Sequence, residues 1–530
     1  MLRFPCPRLI LLHRAFLVLP LCAALLPPAA LADGPWRALA LSGQQAPGAP
    51  AGTAFLAFGS PYDHGIPVPQ VDDGGGVLFF AYLTGPGVTT TNGHGLWVWD
   101  GTLTRLLARA GDPAPGTGSG VFFLGLPNDI VPLGFDREAG LSAVPATLRG
   151  DGVDFFNDDG LWSGDASGLQ LLLREGDPAP GTGGALYSPY NVDFSAAGAL
   201  VLSRLRGPGI DDDNDESVWS HRDGALIFHA REGDPAPGTD ALFGRGHIGA
   251  RPATFGYGEI NDAGEMVVRG DLLGQGVDSY NDEALFVDRG SGLELYLREG
   301  DRAPGAGKKV TFGGSSVSLL LDYPTINAQG EIAFLVRLGG KHQPALLSIY
   351  SDHLGSLLPV ARIGDPAPGT GAEWTALGWP HLCDGSHIAF LASIQTGSYP
   401  LHGAFWDQPG TVVPLLLPGD PVPDRPGLTL FQATQIVGYA AGGHLVFRGH
   451  IGVPSQPVVT ALIAAAPDGT LHTLVAGGDT IDVSSGGGDL REVASVSSGE
   501  LSADGTLAVR LTFADGSSGV FTFDVLEGTS

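Results

Sequence analysis

The sequence has little cysteine, little lysine and little charge of any kind. Of its 3 Cys in 530 residues, Cys6 and Cys22 lie in the first 32, which leaves Cys383 alone beyond them. An intrachain disulfide is therefore excluded past that point, and a buried core or bound metal must hold the fold. The only lysines are Lys308, Lys309 and Lys341. Basic residues number 28 against 56 acidic ones, a formal net charge of −28. Such a surface repels nucleic-acid phosphates and anionic membranes, and it suits cations or plain solubility. Charged residues make up 16% of the chain, against about 25% in an ordinary domain. Disorder needs high charge and few aromatics, and this chain has 25 Phe, 11 Tyr and 8 Trp. After the first 32 residues no apolar run reaches the ~20 residues that span a bilayer.

Glycine and proline are abundant, at 82 and 41 residues. The glycines have no three-residue period, which excludes collagen. A large, turn-dense, all-β protein remains.

Residues 1–14 carry Arg3, Arg8 and Arg14 and no acid. Residues 15–26 are a short apolar run, Pro27 and Pro28 break it, and Ala30-Leu31-Ala32 is a small-x-small cleavage pattern. This arrangement predicts a secretory signal peptide over residues 1–32 and an exported mature chain over 33–530. A lipoprotein signal ending at Cys22 is the weaker alternative, because Leu21 stands where a small residue is wanted. Cleavage after Ala32 leaves 25 basic and 56 acidic residues, a charge of −31. Cys383, with no catalytic signature around it, reads as a buried structural thiol.

The dominant signal is a repeat. The phrase Gly-Asp-Pro-Ala-Pro-Gly starts at Gly111, Gly176, Gly233 and Gly364, with degenerate copies at Gly43, Gly300, Gly419 and Gly478. The eight copies lie 68, 65, 57, 67, 64, 55 and 59 residues apart. A second motif falls between them, clearest as Asn327-Ala-Gln-Gly-Glu-Ile-Ala-Phe334 and Asn261-Asp-Ala-Gly-Glu-Met-Val-Val268. Weaker copies begin near Asp72, Arg137, Ser195, Cys383, Ala440 and Ser502. Each is a turn followed by an apolar β-rich run, which is hairpin chemistry. A strand with Trp or Phe follows (Trp97, Trp162, Trp219, Phe286), and a fourth strand leads into the next Pro-rich phrase.

Four antiparallel strands in tandem make a propeller blade. Eight units over the mature chain, at roughly 62 residues each, predict an eight-bladed β-propeller of four-stranded blades. Seven blades is the alternative, with one weak unit as an insertion. The chain opens on a spare fourth strand near Trp36 and closes on a third strand near Phe521. Pairing them would complete the last blade and close the ring.

Asn327–Phe334 matches the tandem NxxGxxAF repeat of a family of exported bacterial proteins found with varied C-terminal cell-surface anchors. The chain resembles that family over nearly all of its mature length, and residues 174–181 and 231–238 carry the same phrase. The resemblance implies an exported repeat protein and brings no assigned activity. Residues 526–530 carry no anchor pattern.

Candidate chemistry concentrates in the loop between the second and third strands of the first four units. Asp154, Asn157 and Asp158 recur as Asp211, Asn214 and Asp215, and again as Asp278, Asn281 and Asp282. Hard cations such as Ca²⁺ take six to eight oxygen ligands, so these residues are a candidate metal set. Asn and Asp also close turns on their own backbone, and that reading stays open beside the metal. The spacing is neither that of an EF-hand nor that of a calcium-binding propeller loop. Arg recurs three residues before Asp at Arg109/Asp112, Arg174/Asp177, Arg231/Asp234, Arg298/Asp301 and Arg362/Asp365. The Asp is expected to cap the Pro turn, and the Arg to tie neighbouring blades. No zinc-hydrolase, serine-hydrolase or P-loop pattern occurs. The repeated Trp residues read as blade core rather than a sugar platform.

If the first strand of each blade is innermost, the crossover and the Asp/Asn loop share one face, and a ligand is expected there. The first reading is a monomeric binding or structural module for a protein or glycan, assisted by Ca²⁺. The alternative is an extracellular polysaccharide hydrolase or lyase with carboxylates in the channel. An enzyme should show unique polar residues breaking the repeat at the channel mouth.

Overall fold

The structure, a computed structural model, describes residues 36–528 apart from 60–68, 73, 127–133, 136–141, 166–167, 183–185, 196, 223, 246–252, 314–321, 341–342, 395–400, 409, 454–455 and 485–486. The expected signal peptide and the weak hairpin copy at Arg137 lie outside the described residues. No helix among the described residues is long and apolar enough to cross a membrane.

Among the described residues, eight antiparallel sheets of four or five strands follow one another along the chain, with a two-stranded ribbon, Pro366–Ala367 and Ala372–Glu373, between the fifth and sixth. Blade 4 is typical. Its strands Phe255–Ile260, Met266–Leu273, Glu283–Asp288 and Leu293–Arg298 pair in sequence order. The first strand of each blade is innermost, because first strands of adjacent blades bond to one another. The Ile260 amide of blade 4 donates to Asp193 of blade 3 at 2.7 Å, and the Ile326 amide of blade 5 to Glu259 of blade 4 at 3.1 Å. An inner strand is also a sheet edge with unpaired amides. Acids of the preceding blade supply acceptors for that edge.

The eighth blade settles the count. Strands Leu490–Leu501, Thr506–Phe513 and Ser518–Asp524 take their outermost partner from the start of the chain, Trp36–Leu41. Trp36 faces Phe523 and Leu41 faces Gly519 in that pairing, and the Trp36 and Phe523 rings lie 4.7 Å apart. The ring has eight blades and closes on its N-terminal strand, as the repeat predicts.

The two motifs have separate structural tasks. The first glycine of the Pro-rich phrase has φ between 85° and 96° in all eight copies, a conformation that a Cβ would strain. Its amide donates forward to the inner strand of the next blade, as from Gly111 to Phe123 O (2.8 Å) and from Gly478 to Val493 O (2.7 Å). Trp97 and Trp162 donate their indole N–H to Pro47 O (2.9 Å) and Pro115 O (2.8 Å) of the preceding crossover. With Trp219 they are fully buried blade core.

In the second motif Asn327 closes its own hairpin and ties blades together. Its Oδ1 accepts the Glu331 amide at 2.9 Å, and its Nδ2 donates to Cys383 O of blade 6 at 3.0 Å. Asn261 repeats this one blade earlier, accepting from the Glu265 amide (2.8 Å) and donating to Asn327 O (2.9 Å). Ser195 donates to Asn261 O at 2.9 Å. A belt of side chains thus runs round the axis from blade 3 to blade 6.

Candidate functional site

The Asp/Asn loops are built alike in blades 2, 3 and 4. Asn157 Oδ1 accepts the Asp154 amide at 3.0 Å, Asn157 Nδ2 donates to Gly152 O at 3.0 Å, and Asp154 Oδ1 accepts the Phe156 amide at 2.9 Å. Asn214 and Asp211, then Asn281 and Asp278, make the same bonds. In blade 1 Asn92 accepts from the Thr89 amide and donates to Gly87 O. Each Asp/Asn pair satisfies the backbone of its own loop, the behaviour expected of Asx turns. The third acid of each loop points elsewhere. Carboxylate oxygens of Asp158, Asp159 and Glu175 lie within 4.8 Å of one another, with Arg206 of blade 3 at 2.7 Å from Glu175. Asp215 has Arg245 at 3.0 Å, and Asp282 is buried. An arginine therefore already supplies positive charge at two of the three loops.

The repeated Arg/Asp pairs divide. Arg109–Asp112 and Arg362–Asp365 are ion pairs at 2.8 and 2.6 Å. Arg174, Arg231 and Arg298 instead donate to the Asn157, Asn214 and Asn281 carbonyls of their own blades at 2.7 to 2.8 Å. Their Asp partners accept from the Arg backbone amides three residues earlier, where a cap on the Pro turn itself was expected. The tie to the next blade falls to the following glutamate. Glu175 reaches Arg206, and Glu232 accepts from Thr254 Oγ1 at 2.6 Å. Between blades 3 and 4, Glu216 and Glu232 are both buried beside Arg245. Desolvation raises both carboxyls, Glu216 to about 7.

A cavity of about 1020 Å³ occupies the central channel. Its wall includes the inner strands and the hairpins of the Asn-x-x-Gly motif, among them Asn261, Asn327, Asp384 and Gly443. Those hairpins cap the inner strands at the end opposite the crossovers and Asp/Asn loops. The crossover and the Asp/Asn loop do share a face, as the Arg174–Asn157 bonds require. The cavity opens on the other one.

The channel wall breaks the repeat. At the position two residues before each hairpin motif stand Gln70, Asp193, Glu259, Thr325, His381, Gly438 and Glu500 in blades 1 and 3–8. Asp193, Glu259 and Glu500 each give one oxygen to an amide of the next blade. His381 faces channel solvent, but the surrounding walls desolvate it and lower its pKa to about 4. Cys383, expected to be fully buried, is half-buried on the wall, and burial pushes its thiol pKa up. Two residues further up, in blades 4 to 6, stand Tyr257, Tyr323 and Trp379. Sequence reasoning missed this row. The signal was there: all three lie four residues before the hairpin motif, at Asn261, Asn327 and Cys383.

Comparison with known sequences gives three overlapping matches to one family, over residues 30–169, 139–251 and 198–527. The chain belongs to the family of unknown function DUF7453. The overlap of the matches reflects the internal repeat. No curated protein matches this DUF7453 member in sequence. Among solved structures, it is similar to the β-propeller domain of the Trilobed protease from Pyrococcus furiosus, at 8% identity over 79% of this chain and 96% of that one, with a TM-score of 0.37. It is also similar to the polysaccharide lyase Uly1, at 9% identity over 91% and 93% of the two chains, with a TM-score of 0.34. A third is an α-L-arabinanase from Penicillium chrysogenum, solved with arabinobiose, at 8% identity over 74% and 91%, with a TM-score of 0.27.

Proposed function

We propose that the protein is exported and acts as a binding module whose ligand enters the central channel from the hairpin face. The signal-like N-terminus and the NxxGxxAF-type hairpins support a place among exported bacterial repeat proteins. The observation that carries the binding reading is the channel itself. Structural contacts repeat from blade to blade, whereas the cavity wall differs at nearly every blade. A site of this volume, with a few convergent polar groups, has the character of a small-molecule or oligomer pocket.

The second reading, hydrolysis of a polysaccharide, draws on Asp193 and Glu259 in adjacent blades. Each already holds a backbone amide of its neighbour, which fits a structural carboxylate better than a mobile acid or base. Lyase chemistry on uronates needs a cation against the sugar carboxylate, and none of the described channel-wall residues is Lys or Arg.

The test is thermal shift of the mature chain across soluble oligosaccharides, peptides and metabolites, repeated on Thr325→Trp, which narrows the channel. Hits should lose at least ten-fold in affinity in Thr325→Trp and appear without product formation. Hits that bind Thr325→Trp as tightly as wild type overturn the channel site. Turnover of a hit favours the second reading.

A further inference from the structure

Most large aromatic side chains here are core, but three along the inner edges of blades 4 to 6 are not. Tyr257, Tyr323 and Trp379 are 40%, 42% and 54% exposed, while Trp97, Trp162, Trp219 and Trp406 are fully buried. The three stand on consecutive blades and touch. The Tyr257 and Tyr323 rings stack at 3.9 Å and 28°, and their hydroxyls bond at 2.8 Å. Trp379 meets Tyr323 edge-on at 5.0 Å and 68°. Tyr323 and Trp379 belong to the wall of the channel cavity.

The backbone beneath them is irregular. Register shifts fall between Phe255 and Gly258 and between Asp322 and Thr325. Bulges of this kind re-aim a side chain. Tyr323 has a φ of 52°, a left-handed conformation that strains a bulky residue and collects at binding sites. Pro324 and Pro380 follow Tyr323 and Trp379. Proline has no N–H to leave unpaired at an edge strand and stiffens the chain there. The fold thus holds an apolar surface out to solvent on strained, rigid backbone.

Resting on the channel reading above, we propose that this aromatic row is the platform for a neutral glycan. The apolar C–H face of a pyranose ring packs flat on an aromatic ring, while its hydroxyls point outward as donors. Tyr and Trp, with an apolar body and a polar tip, suit such a half-wet surface. Carboxylates accept from several donors at once, and Glu259, two residues along the strand from Tyr257, is on the channel wall. The charge selects among glycans. The described wall carries Asp193, Glu259 and Glu500 and neither Lys nor Arg, so uronate and sulfate groups would be repelled.

Isothermal titration of the mature chain with cello-, xylo-, manno- and chitohexaose, and with hexagalacturonate as the anionic arm, tests this. At least one neutral hexaose should bind, and hexagalacturonate should not. Trp379→Ala and Tyr323→Ala should each weaken binding at least ten-fold, Trp379→Phe by less. Phe155→Ala, which removes an even more exposed ring on a distant loop, should leave it unchanged. Circular dichroism confirms that each variant folds. The proposal is overturned if no neutral hexaose binds, if hexagalacturonate binds more tightly, or if folded Trp379→Ala and Tyr323→Ala bind as wild type. A ligand lost in Thr325→Trp but kept in both aromatic variants would sink the platform and leave the channel reading standing.

Discussion

Asn327 does two jobs with one amide group. Its oxygen closes the hairpin of blade 5 and its nitrogen reaches the backbone of blade 6. At 4% exposure, neither bond has water as a ready substitute, and an orphaned buried polar group costs about 1–3 kcal/mol. Asn327→Ala should therefore lower unfolding stability by about 2 kcal/mol in denaturant titration. Asn327→Ser should lose roughly half of that, because a hydroxyl can still make one bond across, as Ser195 does to Asn261. Equal loss in both variants would show that the cross-blade bond adds nothing. The residue scale also explains the asymmetry of the belt, since Ala440 holds the motif position in blade 7 with no polar side chain.

At the scale of elements, the junction of blades 3 and 4 is the most strained electrostatically. Glu216 and Glu232 are buried together, and Glu216 has its pKa raised to about 7 by desolvation, with repulsion from Glu232 adding to it. A carboxyl whose folded pKa lies above its unfolded value binds more protons when folded. Stability from this pair is therefore highest at or below pH ~4.5, the ordinary glutamate value, and falls as pH rises to about 7. Above that the dependence flattens. Glu216→Gln should flatten the slope over the same window. A Glu216→Gln profile parallel to wild type between pH 4.5 and 7 would place the titration elsewhere. The same junction shows which repeated residues carry a contact between blades. Sequence reading gave that task to the Arg three residues before each Asp, but three of those five arginines brace their own loop and the glutamate that follows them crosses over.

For the whole molecule, closure is the decisive contact. Strand Trp36–Leu41 is the outer edge of a blade whose other strands all lie after residue 479. Deleting residues 33–43 would bare the edge of Ser518–Asp524 and uncover its apolar neighbours. Losing Trp36 and Leu41 contacts alone should cost on the order of 4 kcal/mol, and an open edge invites pairing between copies. Light scattering should then show concentration-dependent association, reversed by a synthetic peptide of residues 33–43. A truncated chain that stays monomeric with an unchanged melting temperature would refute closure as the source of stability.

Much of this ring is legible in the sequence because repetition multiplies weak signals. One Gly-Asp-Pro-Ala-Pro-Gly phrase is only a turn; eight at near-constant spacing count the blades, and a spare strand at one end with a missing one at the other forces closure. Local chemistry was legible for the same reason: Asn157, Asn214 and Asn281 each close a turn on the backbone of their own loop. The channel was not. Its described wall draws short groups of residues from seven blades, about sixty positions apart, and the informative ones depart from the repeat instead of obeying it. Tyr257, Tyr323 and Trp379 look like three more core aromatics until the inner strands bulge and turn them to solvent. The scarcity of lysine and the acidic balance argue against a polyanion-binding surface. The eight-fold phrase fixed the blade count. Only the tertiary structure decided that the open cavity lies on the hairpin face, because which side chains converge on an axis depends on closing the ring.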